Sequence, residues 1–98
     1  MVIVVHVRKS LFKQGHIDCV YIGRNCQEFT DEGWGNPFHI GPDGDREEVL
    51  RKYQAMVMRS PKLLARIEKE LRGKDLVLGC WCKPDLCHGD VLAEIANA

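Results

Sequence analysis

The C-terminal stretch LVLGCWCKPDLCHGDVLAEIANA, residues 76–98, decides the fold. Leu76 to Trp81 is a short apolar run, the pattern of a buried strand. Pro84 breaks it, since proline lacks the N–H that a strand ladder uses. Val91, Leu92 and Ile95 then recur at helical spacing and turn inward. A strand that leads directly into a helix is the signature of an α/β chain. Just upstream, Ser60-Pro61 starts another helix, with proline at the first position, where its missing N–H does no harm. Leu63, Leu64, Ile67 and Leu71 form that helix's apolar face, and Gly73 is its natural stop.

Further toward the N-terminus, Asp45 is a good N-cap, and Glu48 completes a capping-box-like pair. Val49, Leu50, Tyr53, Met56 and Val57 follow on one helical face. Arg24 to Asp45 carries glycines at 33, 35, 41 and 44 and prolines at 37 and 42, which forbids a long helix and predicts an ordered loop. Cys19 to Ile22 reads as a strand ending at Gly23, and Arg8 to Asp18 as an irregular connection. Val2 to Val7 is a β-branched run whose near-continuous apolar character suits a central strand covered on both faces. The order predicts a small Rossmann-like single α/β domain over residues 1–98. A short, at least partly parallel sheet is packed by three helices. In such sheets ligands sit beyond the carboxyl ends of the strands, here Gly23–Arg24 and Cys82–Asp90.

Composition sets the class. The 98 residues are 45% hydrophobic and 29% charged, close to ordinary globular usage. That excludes a disordered tail, a collagen-like rod and a coiled coil. Fourteen Lys plus Arg balance fourteen Asp plus Glu, so a strongly basic nucleic-acid binder is disfavoured. No apolar run approaches the ~20 residues of a membrane span. MVIVVHVRKS has too short an apolar core for a secretory signal, so a reducing cytoplasm is the expected location. Five cysteines, an odd number, then argue for a thiol-rich site or plain buried cysteines over a disulfide framework.

The densest motif is GCWCKPDLCHGD, residues 79–90. Alternation puts Cys80 and Cys82 on one strand face, as small core residues, with Trp81 on the other. Cys87 and His88 fall at the start of the last helix, with Asp90 a possible cap. Three chemistries compete. One is zinc held by Cys80, Cys82, Cys87 and His88, which have the right ligand types but poor spacing, so no cofactor is expected. Another is a reactive Cys87 thiolate paired with His88. The third is an anion or nucleotide pocket built on the helix N–H groups and His88. The catalytic candidates are thus Cys87, His88 and Asp90.

Other motifs supply possible ligand contacts. In YIGR, residues 21–24, Arg24 ends a strand and can clamp a phosphate or carboxylate. WGNPF, residues 34–38, offers Asn36 and two aromatics in a rigid loop, or simply a plug on the core. In GPDGDREE, residues 41–48, Arg46 sits in a helix's first turn, where a cation is unfavourable, and that conflict suggests a task for it. Lys62, Arg66 and Lys69 read as a solvated helix face.

Taken in order, VYIGR, WGNPF, IGPDGDREEVLRKY, LRGKDLVLGCWC and KPDLCHGDVLAEIAN resemble the domain of unknown function family 4326 from Val20 to Asn97. The resemblance implies a bacteriophage or bacterial source, hence a host cytoplasm if phage-encoded, and no particular activity. The ending is also similar to small Rossmann-like proteins in which a strand passes through a Cys-His pair into a helix.

Two functions follow as expectations. One is an anionic-ligand or nucleotide site on Arg24, Asn36, Arg46 and His88, with Cys87 and Asp90 nearby, with or without turnover. The other is a non-catalytic phage module that binds a host protein or nucleic acid.

Overall fold

The computed structural model describes residues 1–98. Three strands, β1 (Val2–His6), β2 (Cys19–Tyr21) and β3 (Leu76–Cys80), form one sheet in the order β1-β3-β2. Both pairings are parallel: Val2 to His6 runs beside Leu76 to Cys80, and Cys19 to Tyr21 beside Val77 to Gly79. The helices are α1 (Arg46–Met58), α2 (Pro61–Arg66) and α3 (His88–Asn97). A π-helical turn over Ile67–Leu71 extends α2. The result is one small α/β domain with three helices and a three-stranded parallel sheet.

The last strand in sequence is the middle strand in space. The expectation that the Val2–Val7 run is central is therefore corrected. β1 is an edge strand, and Ile3 on it is exposed. Its apolar run reflects two unequal coverings rather than a position inside the sheet.

Alternation along β3 divides the interior in two. Leu76, Leu78 and Cys80 join Ile22, Tyr53, Val57, Ile67, Leu71 and Leu92 in the main core, to which all three helices contribute. Val77 faces the other way, into a smaller cluster with Val5, Val7, Phe12, Tyr21 and Phe29. Loop residues, not a helix, supply the outer layer there. Phe12, from the β1–β2 connection, lies across Gly79: a Cβ at that position would come within 2.5 Å of Phe12 Cε1. On the helical side, a Cβ at Gly89 would come within 2.5 Å of Ile22 Cδ1 and 2.8 Å of Val4 Cγ1. The first turn of α3 therefore rests directly on the sheet.

Local capping sets the helix ends. Asp45 Oδ1 accepts the Glu48 amide at 2.9 Å, but Glu48 turns its carboxylate to Arg51 at 2.7 Å, so only half of the expected box forms. Ser60 Oγ accepts the Leu63 amide at 3.1 Å ahead of Pro61. At the far end of α3, Asn97 accepts from Val2 N at 2.9 Å and donates to Val2 O at 2.8 Å, pinning the helix to β1.

Because Phe12 occupies the space above Gly79, Gly79→Ala is an overpacking change. It should destabilise the domain by about 1–3 kcal/mol in urea unfolding, and Phe12→Leu in the same background should recover part of that loss.

Candidate functional site

Beyond the carboxyl ends of β2 and β3 the surface opens into a cleft of about 500 Å³. Five segments build its walls: Tyr21–Cys26 after β2, Asn36–Ile40 from the long loop, Arg46–Leu50 of α1, Trp81–Cys82 after β3, and Leu86–His88 at the start of α3. Arg24, Asn36, Arg46, Cys87 and His88, singled out from separate motifs, all line this one space. Asp90 does not. Its carboxylate turns away, accepting Lys83 Nζ at 2.6 Å and the Cys87 amide at 3.0 Å.

Several of these side chains are already engaged. Arg24 donates through Nε to Asn36 O and through Nη2 to Phe38 O, both at 2.7 Å. It thereby holds the long loop against the end of β2 and keeps Nη1 for other partners. Asn36 is buried; its Oδ1 accepts the Phe38 amide at 2.9 Å and its Nδ2 reaches Val49 O at 3.5 Å. Its amide shapes the loop rather than reading a ligand. Trp34 is the core plug of its motif: it is buried, with Arg66 stacked on its ring at 4.1 Å and its carbonyl accepting Tyr53 OH at 2.8 Å. Arg46 donates to Leu86 O at 3.1 Å and pairs with the exposed Asp85 at 3.7 Å, so the cation at the start of α1 faces the cleft.

The start of α3 corrects one expectation. Cys87, not Asp90, is the N-cap; its sulfur accepts the Gly89 amide at 3.3 Å while Asp90 accepts the Cys87 amide. The chain therefore satisfies those helix-end donors itself, and an anion bound by them is not supported.

His88 is buried, with Nε2 2.6 Å from Ile22 O. A carbonyl only accepts, so Nε2 carries the proton and Nδ1 faces Cys87 Sγ at 3.7 Å. Burial lowers its pKa, which keeps the ring neutral. Among histidine, cysteine and carboxylate side chains, no group of three or more is arranged to hold a metal ion.

The thiols are ordered by their surroundings. Cys87 Sγ donates to Cys80 Sγ at 3.0 Å. Donating to Cys80 and buried besides, Cys87 has its pKa pushed up, which disfavours the expected Cys87 thiolate. Cys80 is fully buried core, as expected of it, but Cys82 is half-buried and lines the cleft. The Cys87 thiol, then Arg46 and Arg24, pull the Cys82 pKa down to about 6. The Cys87 hydrogen bond also draws Cys80 down, but without an opposing arginine.

Trp81, Tyr21, Cys26, His39 and Ile40 are cleft residues that sequence reasoning missed. Trp81 donates to Tyr21 OH at 3.0 Å, which donates to Arg24 O at 2.6 Å, and Tyr21 stacks on Phe29 at 4.6 Å. The signal for Trp81 was its place directly after a strand. As alternation predicts, Cys80 and Cys82 pack on the helical core while Trp81 meets Phe29 and His6 on the other side, yet both Trp81 and Cys82 reach the cleft.

The family described as Domain of unknown function (DUF4326) matches residues 5–98. The chain belongs to that family. A relative of this DUF4326 domain is the uncharacterized 12.4 kDa protein in the nrdA-td intergenic region of Enterobacteria phage T4. It is 40% identical over 68 residues, which are 65% of this chain and 59% of the relative. The DUF4326 chain thus spans about three fifths of that phage protein. No solved structure matches it.

With its pKa drawn down by Cys87 and then by Arg46 and Arg24, Cys82 should be alkylated by iodoacetamide at a rate that rises with pH and reaches half its maximum near pH 6. Peptide-resolved mass spectrometry checks this, and Arg46→Ala should move the midpoint upward.

Proposed function

We propose that this domain binds a small, planar, anionic ligand of the nucleotide class in the cleft at the carboxyl end of its sheet. One observation carries the reading. In a protein of zero formal net charge, the cleft is lined by two arginines, Arg24 and Arg46, and by no carboxylate. Its volume, about 500 Å³, falls within the range of small-molecule sites. Tyr21, Phe38 and Trp81 add flat apolar surface on which a base or other ring can stack.

The roles divide by chemistry. Arg46, whose Nε has no protein partner, and Arg24 through Nη1 contact the anionic group. Aromatic faces hold the ring. Asn36 and His88 act on the ligand only through the walls they fix, because their polar atoms are spent on Phe38, Val49 and Ile22. Placement beyond the strand ends is that of Rossmann-like domains, and we read the sheet as a reduced version of that arrangement.

An NMR titration with adenosine, AMP and inorganic phosphate tests this. AMP should shift the amides of Gly23–Arg24, Ile40 and Trp81–Cys82, and adenosine should bind more weakly. Arg24→Ala and Arg46→Ala should each weaken AMP by about tenfold or more, the equivalent of one charged hydrogen bond. Absence of saturable shifts with nucleotides and phosphate at millimolar concentration would refute the reading.

A further inference from the structure

Only alternate residues of β1 give their main-chain groups to the sheet. Leu76 N donates to Met1 O at 3.3 Å and Val7 N to Cys80 O at 2.9 Å, so the odd-numbered residues turn their N–H and C=O to β3. Val2, Val4 and His6 turn theirs to the free edge. Part of that edge is already closed. Asn97 satisfies both groups of Val2, and His6 O accepts Lys9 N at 2.9 Å. Val4 N–H, Val4 C=O and His6 N–H have no hydrogen-bond partner, and there Val4–His6 lines a second cavity of about 460 Å³. Two segments wall it, Lys9–Leu11 after β1 and Lys83–Pro84 after β3, and no carboxylate lines it. We propose that this edge is a docking surface for an extended, acidic peptide segment of a partner protein, which adds to the sheet as a further strand parallel to β1.

The order of the open groups sets the direction. In a parallel addition, Val4 N–H donates to one residue of the peptide. The residue two positions on then donates to Val4 C=O and accepts from His6 N–H. All three groups are used, and nothing more is asked of β1. An antiparallel strand would also need the carbonyl of His6, which Lys9 N occupies. The added strand continues the all-parallel sheet, with main-chain bonds for affinity and the cavity walls for selection.

Charge decides the occupant. Lys9 is exposed and enters no ion pair, while Lys83 shares its ammonium with Asp90 Oδ1 at 2.6 Å. A second copy of the chain, paired through the same edge, would bring these lysines against themselves, and lysine on an edge strand opposes such self-pairing. A carboxylate side chain on the incoming strand meets Lys9 instead, beside apolar contact from the exposed Leu11. This surface is separate from the arginine-lined cleft and does not rest on the nucleotide reading.

The test is an NMR titration of isotope-labelled protein with the blocked peptide Ac-Thr-Glu-Val-Glu-Val-Thr-NH2. Shifts should saturate and centre on Val4–His6 and Lys9–Leu11, and the Val4 and His6 amides should gain protection from hydrogen exchange. The lysine counterpart, Ac-Thr-Lys-Val-Lys-Val-Thr-NH2, should bind about fivefold more weakly, and Lys9→Glu should reverse that preference. An analogue of the acidic peptide methylated on its four central nitrogens keeps the charges but loses the donors, and it should not bind. Equal binding of the methylated or the lysine peptide, shifts confined to Gly23–Arg24 and Trp81–Cys82, or no saturable shift at millimolar peptide would overturn the proposal. So would concentration-dependent shifts of Val4 and His6 in the protein alone, which would mark a second copy on the edge.

Discussion

β3 is hydrogen-bonded along both edges, and the rest of the domain is arranged around that fact. A strand paired on both sides cannot shift register without carrying its side chains to the wrong face. Leu76, Leu78 and Cys80 are therefore committed to the helical core, and Val77 and Gly79 to the thin layer under Phe12. The same pairing fixes where β3 stops. Residues 81 and 82, freed from the ladder at its carboxyl end, are the ones that turn a tryptophan and a cysteine into the cleft.

The cleft is held open mostly by backbone acceptors. Carbonyls of Asn36 and Phe38 take Arg24, that of Leu86 takes Arg46, and that of Ile22 takes His88. Both arginines are thus positioned by main chain rather than neutralised by a buried acid. Asp85, the one carboxylate that approaches, does so from the exposed side at 3.7 Å. An arginine bound to carbonyls keeps its full charge. That is why a chain with balanced acids and bases can still present a cationic hollow.

Much of this was legible in the sequence. Helix starts at Asp45 and Ser60, the loop from Arg24 to Asp45, and a site at the strand ends followed from local chemistry, which acts over a few residues. Strand order was not legible, because the apolar run of Val2–Val7 reads alike at an edge and at a centre. Roles within the cluster were also hidden. Cys87 beside His88 looks like an activated pair in the sequence, yet the histidine turns its proton to Ile22 and the sulfur caps its own helix. The Cys82 pKa is lowered first by Cys87 and then by Arg46, thirty-six positions away in the chain and brought to the same cleft only by folding. Asn36 and Asp90 were found by the company they keep, although both serve the scaffold.

The strand order also dictates when this chain can fold. β1 and β2 never touch as a pair; each has only β3 for a neighbour, and β3 begins at Leu76. A nascent chain that has emerged only as far as residue 75 has no sheet to form, whatever its helices do. Both early strands must wait with bare edges, which is a long-range, slow route and an aggregation hazard. Emergence of β3 is thus the moment at which hairpin-free assembly becomes possible, and the cleft, built at the end of that strand, depends on the same step.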